Sequence, residues 1–167
     1  EPVAGAFIEK IREQMAAYTW GDPLKDKGVS VGPLVSAARR DQVERMVNEA
    51  VAAGARCILG GKRPADREKG FFFEPTVLVD CRHEMNIMRE EIFGPLLPVL
   101  PYANLDEAFA QVRSGPKPLA AYCFTQDKSV QQRFLRTLSF GGGCINDTVV
   151  HLASPAPPLG GRGASRM

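Results

Sequence analysis

Apolar positions recur at helical spacing in some stretches of this chain and run together in short segments in others, and the switch between the two marks the elements. Val3, Phe7, Ile8, Ile11 and Met15 recur at helical spacing with Glu9, Lys10, Arg12 and Glu13 between them. This predicts an amphipathic helix over 3–17 lying on an apolar surface. Trp20-Gly21-Asp22-Pro23 ends it, and the segment to Gly32-Pro33 reads as loop, with Lys25, Asp26 and Lys27 solvated. Ser36 is placed to cap a second helix whose inner face is Val43, Met46, Val47, Ala50 and Val51. Gly54 stands where a left-handed helix end is wanted. Arg56 to Leu59 is then a short strand closed by Gly60-Gly61. That glycine pair opens no helix and is not a dinucleotide fingerprint.

Lys62 to Gly70 is a polar, exposed excursion. Phe71-Phe72-Phe73 leads into a buried strand over Pro75 to Val79. Three consecutive phenylalanines suit core and domain-edge packing, or else a partner-facing edge. Leu96 to Leu100 predicts a strand that Pro98 leaves unpaired on one side. Asn104 with Glu107 forms a capping-box pattern ahead of Leu105, Ala108, Phe109 and Val112, and Gly115-Pro116 stops that helix. Leu119 to Phe124 is a mostly apolar strand. Asp127 caps a helix with Val130, Phe134, Leu135 and Leu138 inward, and Gly141-Gly142-Gly143 turns into Cys144-Ile145-Asn146. Strand, helix and strand at these lengths predict a right-handed crossover, parallel pairing and strands buried on both faces. The order of elements is that of an α/β architecture.

A chain of 167 residues predicts one domain with a real core. Net charge of +2 gives no basic field that would suggest nucleic acid. No apolar run reaches membrane-spanning length, and no targeting segment is visible. The first residue is Glu1, which leaves room for a removed leader. Cys57, Cys81, Cys123 and Cys144 are widely spaced and read as small apolar residues in a reducing compartment, with a cytoplasmic location expected. Cys81-Arg82-His83 is the closest Cys/His pair and lacks the spacing and partners of a zinc site, so no metal is expected.

Candidate chemistry concentrates in Ile87 to Leu100, where charged residues pass through a Phe-Gly-Pro corner into an apolar run. On residues alone, Gly94-Pro95 is an ordinary turn, and Glu91 is either a solvated carboxylate or a ligand-facing one. Glu91-Ile92-Phe93-Gly94-Pro95, however, resembles a motif of the aldehyde dehydrogenase superfamily. Gly142-Gly143-Cys144-Ile145-Asn146-Asp147-Thr148 resembles the segment bordering that family's substrate tunnel. Pro158-Leu159-Gly160-Gly161 resembles its Pro-Phe-Gly-Gly turn, with Leu159 in place of the usual Phe. The resemblance covers essentially the whole chain, 1–167, as a single domain corresponding to the C-terminal portion of such a catalytic domain.

The resemblance implies an open, mostly parallel α/β sheet with helices on both faces. It implies NAD or NADP as cofactor of the complete enzyme, though the chain alone need not bind one. Glu91 would hold the nicotinamide-side ribose hydroxyls and Phe93 would pack beside the nicotinamide. A carboxylate accepts two hydroxyl hydrogen bonds at once, so the residue type suits that role. Asn146, Pro158 and Leu159 would border the substrate tunnel, although Asn146 also suits the closing of its own turn. The implied partners are an aldehyde substrate and the missing N-terminal part or a second copy of the chain; no nucleic acid or membrane is expected.

Cys144, His151 and Asn146 suggest a nucleophile, base and orienter, but they lie within one short segment, whereas working triads are assembled in space. His151 is expected to be structural or at a channel rim, and His83 exposed. None of the four cysteines matches the family's catalytic thiol motif, and its general-base Glu, oxyanion-holding Asn and pyrophosphate-gripping turn have no counterpart here. The chain alone is therefore expected not to oxidise aldehydes. Arg166 stands where the family has Gly, which implies a strained or rebuilt turn, and the final pairing strand is absent. Two other readings compete: a non-catalytic binding or structural module derived from the same fold, and a stand-alone hydrolase using Cys144.

Overall fold

The computed structural model describes residues 3–67, 69–153 and 160–165, so Pro158, Leu159 and Arg166 lie outside the described residues. The backbone divides into two compact units, Glu1–Pro101 and Tyr102–Met167.

The first unit holds helices α1 (Ala4–Ala16) and α2 (Ala37–Ala52) and strands β1 (Arg56–Leu59), β2 (Thr76–Val79) and β3 (Leu96–Pro98). Helix α1 falls where the periodicity placed it, but none of its residues is buried. Ile8, Ile11 and Met15 are half-buried, while Val3 and Phe7 are exposed. The apolar stripe is thus wider than the surface that covers it. Helix α2 begins where the Ser36 hydroxyl accepts the Arg39 N–H at 3.2 Å. Val43, Met46, Val47 and Ala50 are buried as expected. Val51 is a correction: it sits at the edge of the stripe and is exposed. Past the helix, Gly54 adopts φ +104, and the Arg82 guanidinium donates to the Ala53 carbonyl at 2.8 Å, satisfying a helix-end acceptor.

The sheet order is β1-β2-β3. Strand β2 pairs parallel with β3, but antiparallel with β1. The antiparallel pairing follows from the connection: Gly60 and Gly61, at φ +67 and +82, open a return loop with no crossover helix. A Cβ at position 60 would stand 2.2 Å from the Pro75 carbonyl oxygen, so only glycine fits there. Pro98 is accommodated because β3 is an edge strand in this sheet. The core gathers Val43, Met46, Val47, Ala50, Phe73, Leu78, Ile87 and Leu96 among others. Phe72 and Phe73 are buried and Phe71 is half-exposed, so core packing is the main use of the triple phenylalanine. Within the excursion, residues 62–67 and 69–70 are exposed apart from a buried Pro64.

The second unit holds α3 (Leu105–Ser114), β4 (Ala120–Cys123), α4 (Lys128–Thr137) and β5 (Gly142–Ile145). Asn104 Oδ1 accepts the Glu107 N–H at 2.9 Å, and Glu107 returns to the N–H of Ala103 at 3.0 Å. The capping box is therefore present, with its return bond one residue further out. Asp127 accepts from the Ser129 hydroxyl and the N–H groups of Ser129 and Val130, bonds that hold its carboxyl below the usual range. Strands β4 and β5 run parallel, in register from Ala120↔Gly142 to Cys123↔Ile145. The α/β reading and the parallel strand–helix–strand unit are thus present.

Burial in this unit departs from expectation. The strands are half-buried rather than buried on both faces, and Tyr122 and Phe124 are exposed. The pair has no third strand beside it among the described residues. Phe109 and Phe134 are buried, whereas Val112 and Leu135, expected inward, are exposed.

Thr76 is the one fully buried polar side chain among the described core residues. Its hydroxyl donates to the Glu74 carbonyl at 2.7 Å and accepts the Gly61 N–H at 2.8 Å. Replacing it by near-isosteric Val leaves both backbone groups unpaired. Thr76→Val is expected to lower stability by about 1–3 kcal/mol, read from a shift of the urea midpoint. An unchanged midpoint contradicts this role.

Candidate functional site

The Phe-Gly-Pro corner is built from the core outward. Ile87 is buried in the short 3-10 turn Asn86–Met88, and Met88 and Ile92 pack against the core. Gly94 lies against α2 so closely that a Cβ there would stand 2.7 Å from Val43 Cγ2. The Leu96 N–H closes the corner onto the Gly94 carbonyl at 2.8 Å, and the Thr76 N–H fixes the Pro95 carbonyl at 2.8 Å. With Ile92 facing inward, Glu91 and Phe93 face solvent; Phe93 is 65% exposed and takes φ +43. A positive φ in an aromatic residue is uncommon and costs free energy, and such residues cluster at functional sites.

The two acidic residues part company here. Glu90 accepts a hydrogen bond from the Gln42 amide of α2 at 3.1 Å. Glu91 has no hydrogen-bond or ion-pair partner among the described residues, so its carboxylate is available to a ligand. Arg39, half-buried on the first turn of α2, places its guanidinium 5.7 Å from the centroid of the Phe93 ring. This cation–π contact steadies an otherwise exposed ring. The sequence singled out Glu91 and Phe93 but not Arg39, because no local signal pairs residues so far apart in the chain. A cavity of about 460 Å³ in the same unit, lined by Asp22, Lys25, Asp26, Arg67, Lys69 and Phe72, contains none of these three.

In the second unit, Asn146 follows β5 with φ +56, a conformation that Asn tolerates better than most residues. Its Oδ1 accepts the Thr125 N–H at 2.8 Å, and its Nδ2 donates to the Thr125 carbonyl at 3.0 Å. The amide thus clamps the chain just past β4, rather than closing its own turn. Beyond it, Val149 takes φ +64, an outlier for a β-branched side chain. Cys144 and His151 do meet, with Sγ 3.8 Å from Nδ1, despite lying in one short segment. Asn146 is not their third member, since both ends of its amide are engaged with Thr125. The nucleophile–base–orienter arrangement is therefore not assembled.

Among the described residues, no three His, Cys, Asp or Glu side chains gather as metal ligands, and no helix is long and apolar enough to cross a membrane.

The sequence matches the profile of the aldehyde dehydrogenase family across residues 1–167. It is 37% identical over 164 residues to aldehyde dehydrogenase family 3 member H1 of Arabidopsis thaliana, covering 98% of this chain and 33% of that protein. It is 43% identical over 136 residues to the 4,4'-diaponeurosporen-aldehyde dehydrogenase of Staphylococcus aureus, covering 81% and 28%. Among solved structures, succinate-semialdehyde dehydrogenase from Burkholderia pseudomallei superposes with a TM-score of 0.92 at 32% identity, over 100% of this chain and 34% of that one. The NAD+ complex of a Mycobacterium tuberculosis aldehyde dehydrogenase gives 0.90 at 30% identity, over 99% and 34%. The chain thus spans about a third of the length of these relatives.

The Asn146 clamp is testable by itself. Asn146→Ala loses both bonds and puts a Cβ-bearing residue without local compensation in the left-handed region. We expect a loss of about 2–4 kcal/mol in urea denaturation. Asn146→Gly, free of the conformational penalty, recovers part of it. Equal stability of the two variants contradicts a strained residue held by its amide.

Proposed function

Because this chain belongs to the aldehyde dehydrogenase family, we propose that residues 1–167 form a single domain portion, the C-terminal part of the catalytic domain of an NAD(P)-dependent aldehyde dehydrogenase. The complete enzyme oxidises an aldehyde to a carboxylic acid through a cysteine thioester. Its catalytic thiol lies outside this chain, and the chain alone is inactive. The observation that carries the proposal is the exposed carboxylate of Glu91, without a partner among the described residues, near the Arg39-backed ring of Phe93 at the corner.

The residues present suit a nicotinamide dinucleotide. Glu91 accepts the two hydroxyls of the nicotinamide-side ribose, in charge-assisted bonds. Phe93 offers an apolar face that limits the swing of the nicotinamide ring. Arg39 holds that face in place. When bound, the cofactor supplies the hydride acceptor. The protein's part is orientation, and it needs a corner that does not yield; Gly94 packed on Val43 and the bonded Pro95 carbonyl provide it.

Asn146, Pro158 and Leu159 border the aldehyde tunnel in this reading. Asn146 acts there by holding the shape of the wall through Thr125, its amide being already engaged. The missing N-terminal part of the enzyme, or a second copy of the chain, is the implied protein partner, and the enzyme works in the cytoplasm. The exposed Phe124 and Leu135 side chains support a second reading, a non-catalytic module of the same fold that acts through a partner protein.

Glu91→Gln in the complete enzyme separates these readings. Losing a charge-assisted bond worth about 1.5–3 kcal/mol should lower kcat/KM for the cofactor by about ten- to a hundredfold. Glu90→Gln, at the neighbour already bonded to Gln42, should leave cofactor kinetics near wild type. Unchanged kinetics in Glu91→Gln, or an equal loss in both variants, contradicts the assignment.

A further inference from the structure

The Cys144–His151 pair has a built setting. The imidazole rests on the bare backbone of Gly142, where a Cβ would come within 2.4 Å of the ring's Cδ2. The Tyr122 ring also lies close to it, with 5.7 Å between centroids and a tilt of 53°. Cys144 is the register partner of Tyr122 across the β4–β5 pair, which brings its Sγ to 3.8 Å from Nδ1. Two strands and the turn Val150–Leu152 therefore fix the ring where it faces the thiol.

The other thiols are placed differently. Cys57 donates to the Leu59 carbonyl at 3.3 Å, and Cys81 to the Leu78 carbonyl at 3.7 Å. An amide carbonyl holds a thiol proton by hydrogen bonding but is too weak a base to take it. Desolvation pushes the Cys81 and Cys123 thiols up, away from the reactive thiolate, and also that of Cys57, an exposed residue whose sulfur is partly shielded. Cys144 alone among the four faces a nitrogen base. Among the described residues no charged side chain is bonded to either member of the pair, and the imidazole is met by the Tyr122 ring and the Gly142 backbone. Such a setting favours a neutral, soft electrophile over a charged one.

We propose that Cys144 and His151 form a covalent modification site for uncharged conjugated carbonyl compounds, of which α,β-unsaturated aldehydes are the fitting class. The Cys144 thiol gives its proton to His151 Nδ1 as the sulfur attacks the β-carbon of the enal. A bond forms between Sγ and that carbon, and the π pair of the C=C bond moves to give the enolate. The proton held by His151 then goes to the α-carbon. The product is a thioether that retains every atom of thiol and enal, with nothing oxidised or reduced.

The test treats the complete protein with limiting 2-hexenal and follows each cysteine by peptide-resolved mass spectrometry. Cys144 should be modified first, ahead of Cys57, Cys81 and Cys123. His151→Gln should slow its modification by about tenfold or more, the scale of lost base catalysis, while the other three keep their rates. Circular dichroism checks that this variant is folded; if it is not, the ranking of the four cysteines in the unaltered protein decides. Modification of the exposed Cys57 as fast as Cys144, or an unchanged Cys144 rate in folded His151→Gln, overturns the proposal.

Discussion

The closeness of Gly94 to Val43 is the constraint on which the first unit's chemistry depends. With no room for a Cβ between them, the corner is pinned to the most buried face of α2. Ile92 can then turn inward while Glu91 and Phe93 turn out. Phe93 takes an unfavourable backbone angle, which persists because the residues on both sides are over-determined by packing and backbone hydrogen bonds. The same helix that receives Gly94 carries Gln42 and Arg39. One helix thus engages Glu90 and steadies the Phe93 ring, while Glu91 has no partner among the described residues. Packing and hydrogen bonding divide two adjacent carboxylates into one bonded to α2 and one that faces solvent.

The second unit follows another logic, in which backbone shape after β5 is maintained by side chains. Asn146 spends its whole amide on Thr125, tying the ends of two parallel strands together. The left-handed Asn146 and Val149 bracket a turn that returns His151 to the strand it has just left. Glycines make that return possible: Gly142 under the imidazole, and Gly143 against the Ala121 carbonyl and Phe140. The exposed apolar side chains here, Phe124 and Leu135 above all, belong to a strand–helix–strand unit whose strand pair has no third strand beside it among the described residues.

What was legible in the sequence was local. Ser36, Asn104 and Asp127 mark helix starts because a cap is a contact between residues two or three apart. The parallel β4–β5 pair was legible because its connection contains a helix. Properties that depend on distant neighbours were not. The antiparallel direction of β1 is decided by the path of the return loop, and the exposure of Val51 and Leu135 by how wide a surface meets each helix. For the site, the resemblance and not periodicity pointed to Glu91 and Phe93. Arg39 and the meeting of Cys144 with His151 needed tertiary structure, since the first joins distant segments and the second depends on an unusual backbone turn.

The central claim is that Glu91 and Phe93 orient a nicotinamide cofactor. The most direct measurement is a crystal structure of the complete enzyme with NAD or NADP bound. The account predicts the Glu91 carboxylate within hydrogen-bond distance of both ribose hydroxyls, with the Phe93 ring against the nicotinamide and Arg39 still over its face. A structure in which Glu91 is engaged by a protein cation, with the ribose held elsewhere, would contradict it.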